Sequence, residues 1–453
     1  MKPLIPFILL LSLCTAVLAL YPVHYKPEVR GMEQSGYETL AVAESLVQGT
    51  GFSNPFGLLP TGPTAHVSPT YPALLAVILS NTPDQSSALF AIEWSATLVV
   101  MLQVCLLPWL GLKMGLGFYS GVVAAVAWLV ARMPREEFWE QNYSGLLITL
   151  LAFFMYKGLT GTLERWQLVL CGVLWGVLIL TCPVAILALF LWLVLLYRAR
   201  VHHPGKPTAG LPGTPMSAQM SHTQMSHAQK AVLLLLPILV VAPWMIRNYK
   251  TFHKFVFVRD NLGLEMEVSN NPCATFSFEL NRISGCYSEH HPNESLSEAM
   301  AVRELGEIGY NQRSMARAKA WIRANPSEFL KLTAKRSVAF WLPTMFYAEL
   351  SAIPNPEFYS ALRDAVVSLA SLAAPAGLVL LWKRNRAAAS VLLIWLLTFP
   401  VVYYLTQYGE RARIPVMWAI LLPAGYASTE LGRWLLSIFQ REVHNGTSVG
   451  VEH

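Results

Sequence analysis

Ten apolar stretches dominate this chain, near 4–20, 84–108, 117–132, 142–157, 166–181, 182–197, 231–246, 362–382, 388–405 and 414–433. Each approaches the length that a helix needs to cross a hydrocarbon core. A water-soluble domain carries about a quarter charged residues. This chain carries 13%, with 54% hydrophobic residues and a mean hydropathy of +0.43. The implied fold class is an α-helical polytopic membrane protein, a bundle of about ten spans with loop domains on its outer side. The formal charge of +6 reflects topology, and no nucleic-acid partner is expected.

Lys and Arg in the short loops orient the spans. With the N-terminus inside, the inner loops hold Lys113, the stretch from Lys157 to Arg165, the stretch from Tyr197 to Lys230, and Lys383 to Arg386. The run from Trp166 to Tyr197 has basic flanks at both ends, which requires an even number of crossings. Two short helices broken at Thr181-Cys182-Pro183 satisfy this, because proline cannot continue a helix without losing a hydrogen bond.

The resulting division is a membrane anchor at 1–20, read as uncleaved rather than as a secretory signal. A first outer loop follows at 21–83, then a transmembrane bundle at 84–246 with a cytoplasmic linker at 198–230. The second outer domain is 247–361, the C-terminal spans 362–433 and the tail 434–453. The Met/His-containing MSAQMSHTQMSH lies in that linker and matches no defined metal site.

Polar chemistry concentrates in the two outer regions. A transporter is expected to bury polar groups near the bilayer midplane, whereas these spans are nearly bare, with Glu93 the exception. Of the six cysteines, Cys273 and Cys286 are the two placed firmly on the outer side. In an oxidising compartment they are candidates for a disulfide, the alternative being two buried thiols.

Four blocks carry a family likeness. GYETLAVAESLVQGTGFSNPFGLLPTGPTAHVSPTYPALLA, Gly36 to Ala76, resembles the first outer loop of bacterial membrane glycosyltransferases of the family 39 type. These are relatives of protein O-mannosyltransferases and lipid-A aminoarabinose transferases, with the GT-C fold. APWMIRNYKTFHKFVFVRDNLGLEM, Ala242 to Met266, is similar to the family's entry into its second outer domain. HPNESLSEAMAVRELGEIGY, His291 to Tyr310, and YGERARIPV, Tyr408 to Val416, agree as well. In the last block Ala412 stands where the family has an aromatic residue.

The resemblance implies an inverting transferase that uses a sugar on a polyprenyl phosphate, with the multi-pass chain in the bacterial inner membrane and its active site on the periplasmic side. The expected partners are that lipid-linked sugar, surrounding membrane lipids, and an acceptor lipid, glycan or protein. Such chemistry needs a carboxylate to take the acceptor proton and cations for the leaving phosphate. No cofactor is required; a divalent metal is compatible with the carboxylates but nothing calls for one.

A helix over 37–48 places Leu40, Ala43 and Val47 on one face, and Gly49-Thr50-Gly51 ends it. Glu38 falls in its first turn. Glu44 lies about 120° round the axis from Glu38, so the two do not converge. Matching the family from the G-x-G-F end backwards puts the catalytic acid at Glu38, with Glu33 in reserve.

Arg247, Arg411 and Arg413 sit at outer ends of spans and are the candidates for the donor phosphate; their alternative role is snorkelling to the interface. His66, Tyr71, Glu140, His291 and Glu294 are candidates for substrate contacts. Asn293 and Ser297 read as helix N-caps. The rival functions are a transporter or flippase of lipid-linked sugars, or a non-catalytic envelope protein.

Overall fold

The computed structural model describes residues 38–131, 140–198, 225–350 and 358–448. The 4–20 segment, Glu33 and most of the 198–230 linker lie outside the described residues. Each of the other apolar stretches falls on helix. The chain opens with α1 (Glu38–Val47) and α2 (Thr70–Ser80), followed by α3 (Gln85–Lys113), α4 (Phe118–Ala131) and α5 (Gln141–Thr160). Next come α6 (Arg165–Thr181), a 3-10 turn at Pro183–Ala185, α7 (Ile186–Arg198) and α8 (His227–Phe252). The region between α8 and the last spans holds α9 (Leu262–Ser269), α10 (Phe278–Ile283), α11 (Cys286–His290), α12 (Leu296–Ala324), α13 (Pro326–Trp341) and α14 (Tyr347–Leu350). The chain closes with α15 (Phe358–Arg384), α16 (Arg386–Thr398), α17 (Val401–Leu405), a 3-10 helix at Glu410–Val416 and α18 (Met417–Ser448).

Local sequence explains the starts. Asp84 accepts the Ser87 amide at the head of α3, and Ser226 with Gln229 forms a capping box on α8. Among the described residues, five helical stretches are long and apolar enough to cross a membrane by length and composition: Gln85–Lys113, Gln141–Thr160, His227–Phe252, Ala361–Arg384 and Arg386–Leu405. Their outward flanks are apolar too, with Leu239 65% and Leu369 66% exposed. Side chains of that kind on the rim of a bundle fit lipid rather than water. The chain is therefore a multi-pass helical membrane protein.

Inside, one apolar cluster runs through the bundle, with the Trp175 ring stacked on Trp395 at 5.6 Å and on Trp192 at 6.1 Å. α6 lies against α8 because Gly172 and Gly176 leave room for Leu236 and Val240. A Cβ at Gly176 would sit 2.4 Å from that of Val240. Small residues at this spacing are how membrane helices approach closely.

Two breaks shape the same end of the bundle. α6 stops at Thr181, as the Thr181-Cys182-Pro183 reading expects, and Pro183 opens the 3-10 turn into α7. The stretch expected as a single span over 388–405 is interrupted at Phe399-Pro400, so Val401–Leu405 forms a separate short helix. Pro400 cannot donate to the preceding turn.

Candidate functional site

α1 is closed by a Schellman arrangement: Thr50 N–H bonds Ser45 O at 3.0 Å, Gly49 N–H bonds Leu46 O at 3.2 Å, and Gly49 has φ +78°. Its buried face is not the expected Leu40, Ala43 and Val47. Glu38, Thr39, Val42, Ala43 and Ser45 are buried, and Val47 is exposed. The helix is packed on two sides. Ala43 meets Tyr71 and Leu75 of α2, and the Glu38 carboxyl meets Asn293 in the segment between α11 and α12. Glu44 is exposed.

The segment after α1 is pinned from three directions. Arg247 donates to Phe52 O at 2.8 Å and to Thr64 O at 2.6 Å. Arg259 Nε donates to His66 O at 2.9 Å, and the Asp260 amide to Ala65 O at 2.9 Å. Glu307 Oε1 accepts the Ala65 amide at 2.6 Å, while its Oε2 shares a hydrogen bond with the Thr64 hydroxyl. Glu307 stands where it does because α12 is broken at Gly306, whose φ of 69° is non-helical.

Beside the Arg259–His66 contact lies a cavity of about 410 Å³. Glu38, His66, Glu140, Arg259, Glu265, Tyr287, His291 and Arg411 line it, together with Cys182, Pro183 and Val184 from the α6–α7 break and Val402, Tyr403 and Thr406 from around α17. Both helix breaks thus open onto the site. Loop residues and helix ends form the walls.

Glu38 is 7% exposed. Burial pushes its carboxyl up to about 7, against the pull of its own backbone amide, Arg411 and Arg259, with Glu265 adding to the rise. Glu265 is also raised by burial. His66 is held well below the usual imidazole range by burial, Arg259 and His291, and His291 down to about 3 by burial and Arg411. Both imidazoles are neutral at pH 7. Asn293 Nδ2 donates to Glu38 Oε1 at 2.7 Å, and His291 Nε2 lies 3.7 Å from the same oxygen. Arg259 approaches Glu140 at 3.8 Å, and the Arg411 guanidinium lies 5.5 Å from the Phe278 ring centre.

One ligand atom each of Glu38, His66 and His291 lies within 4.8 Å of the others, the spacing of a possible cation site. The Asn293 amide, however, donates to His291 Nδ1 at 3.1 Å. That fixes the neutral imidazole with its proton on Nε2, the nitrogen facing Glu38. A protonated Nε2 has no lone pair to offer an ion.

The other expected site residues lie elsewhere. Arg247 is engaged with loop carbonyls and with the rings of Phe52, Trp244 and Phe252, and it does not line the cavity. Arg413, 2% exposed, donates to Phe340 O at 3.3 Å, lies 3.8 Å from Asp364 and sits beneath the Tyr408 ring. Its neighbour Arg411 faces the cavity instead. Tyr71 packs in the α1–α2 core against Tyr143 at 5.3 Å. Glu294 pairs with Arg282 at 3.4 Å and with Ser288. Glu93 is buried within α3. Cys273 and Cys286 are joined as a disulfide.

Sequence reading assigns no site role to Arg259, Glu265, Tyr287 or Glu307, and reads Asn293 only as a helix cap. Arg259 and Glu265 both stand in FVFVRDNLGLEM, where charges interrupting an apolar stretch were a usable signal. Asn293 is no helix cap; Ser295 occupies the N-cap of α12.

No protein-family profile matches the chain, and no curated protein matches it. Among solved structures, a crystal structure of ArnT from Cupriavidus metallidurans bound to undecaprenyl phosphate aligns with 13% identity and a TM-score of 0.39. The alignment covers 93% of this chain and 77% of that one. A likeness this distant carries no argument about the present chain.

Proposed function

We propose that the chain is a membrane glycosyltransferase of the GT-C type, moving a sugar from a polyprenyl phosphate to an acceptor hydroxyl on the periplasmic side of the bacterial inner membrane. The observation that carries this reading is the single cavity in which Glu38 lies among Arg259, Arg411 and two neutral histidines, at the end of an apolar bundle. In the reaction, the acceptor oxygen bonds to the anomeric carbon as the bond from that carbon to the phosphate oxygen breaks, with inversion. The acceptor proton goes to Glu38. The phosphate leaves carrying the negative charge, which Arg411 and Arg259 stabilise.

A general base works best with a pKa near the operating pH, and the Glu38 carboxyl, pushed up to about 7, meets that condition. Turnover is expected to rise as pH passes through about 7 and Glu38 loses its proton. The flippase alternative calls for polar groups at mid-span, whereas the cavity walls are loop residues and helix ends. The test is Glu38→Gln in purified protein. Sugar transfer from the cell's own lipid-linked donors should be abolished while undecaprenyl phosphate still binds. Full transfer by that variant would sink the reading.

A further inference from the structure

We infer that His291 and Asn293 are positioning residues that grip one oxygen of the Glu38 carboxylate and set its orientation in the cavity. The inference rests on the reading of Glu38 as base for its catalytic meaning, but its geometry stands alone. A single segment meets Glu38 Oε1 twice, through Asn293 Nδ2 at 2.7 Å and His291 Nε2 at 3.7 Å. The Asn293 backbone supplies the third contact. Its amide donates to His291 Nδ1 at 3.1 Å, so the imidazole turns its N–H toward the carboxylate.

The ring has little freedom to turn away. Tyr287 stacks on it at 4.4 Å with an interplanar angle of 13°, and Phe56 meets its edge at 5.9 Å. The His291 amide also bonds Tyr287 O at 2.9 Å, which ties the segment to the end of α11. A carboxylate able to rotate presents its lone pairs in many directions. One held by the Asn293 donor, with the His291 N–H directed at the same oxygen from 3.7 Å, presents the same geometry to every acceptor.

Glu38 also feels Arg411, Glu265 and Arg259, and it faces His66 and Tyr287. None of these is changed by substitution at Asn293, so a shift in Glu38 titration reports the lost contact. The test needs no substrate. The full chain in detergent is titrated by infrared spectroscopy, and the Glu38 carboxyl C=O stretch is assigned by its absence in Glu38→Gln. Asn293→Ala should raise the Glu38 midpoint by about one pH unit, because a donor to the charged form is lost. Asn293→Asp, nearly the same shape but with a like charge, should raise it further.

Midpoints unchanged in both variants overturn the inference. A wild-type midpoint that shifts when EDTA is added and returns with Zn²⁺ also overturns it, since a cation would then hold the carboxylate. The two readings fail separately. An inactive Glu38→Gln with an unshifted Asn293→Ala removes the positioning role alone. An active Glu38→Gln removes the transferase reading and leaves the grip intact.

Discussion

Glu307 Oε1 accepts the backbone amide of Ala65 at 2.6 Å, across 242 residues of sequence, and so ties α12 to the segment that carries His66. Burial pushes the Glu307 carboxyl up to about 8, with nearby Asp260 adding to the rise, against the pull of Thr64, Ala65 and Arg247. It is mostly protonated at pH 7. A folded-state pKa above the unfolded one means that the native protein binds the extra proton. The stability associated with that proton is full below about 4.5 and is lost as pH rises to about 8. Glu307→Gln mimics the protonated form. It should match the wild-type melting temperature below about pH 4.5 and flatten its fall between pH 5 and 8, as followed by thermal unfolding in detergent.

The arginines divide by environment. Arg411→Ala should weaken binding of undecaprenyl phosphate by about tenfold, the worth of one charge-assisted contact, with little change in melting temperature. Arg413→Ala should do the opposite. It removes one of the two arginines beside the buried Asp364, leaving Arg363 at 3.7 Å, and takes the donor from Phe340 O, which costs about 1–3 kcal/mol. Calorimetric lipid binding and thermal unfolding of both variants separate the two roles.

At the α6–α8 crossing, Gly176→Val should push the helices apart. Even a Cβ there meets Val240 at 2.4 Å, and overpacking of this kind costs about 1–3 kcal/mol. Thermal unfolding of the variant, with Gly432, around which a Cβ would meet open space, changed as a control, measures the effect.

The Cys273–Cys286 bridge closes a loop of sequence separation 13, whose arm pairs with the chain beside Arg411: Phe278 N–H bonds Tyr408 O at 2.8 Å and Tyr408 N–H bonds Phe276 O at 2.9 Å. Replacing both cysteines by serine should lower stability by about 3 kcal/mol through the freed loop. Thermal unfolding of wild type, with and without reductant, should show the same loss, and the double variant should no longer respond to reductant.

Much of this architecture is readable in the chain. Apolar runs set the helices because a bilayer leaves a backbone no other partner than itself, and the break at Pro183 was legible. The one at Pro400 was not, since Pro108, Pro237, Pro243, Pro375 and Pro423 stand inside helices that continue. The Gly49 stop of α1 is equally local. The burial of Glu38, Thr39 and Ser45 was not, because periodicity assumes that water lies on the polar face. Here a second protein region lies there. Nothing in the sequence separates Arg411 from Arg413, two positions apart, yet one faces the cavity and the other is buried against Asp364.

The sequence by itself determined a multi-pass helical bundle, its break at Pro183 and the segments that carry its charge, since these depend on hydropathy and backbone hydrogen bonding within a few turns. Only the tertiary structure decided which charges meet. Asn293 reaches Glu38 over 255 residues, and Arg259 reaches His66 over 193. Contacts at that separation depend on how whole helices pack, and so does the protonation of the buried carboxyls that they surround.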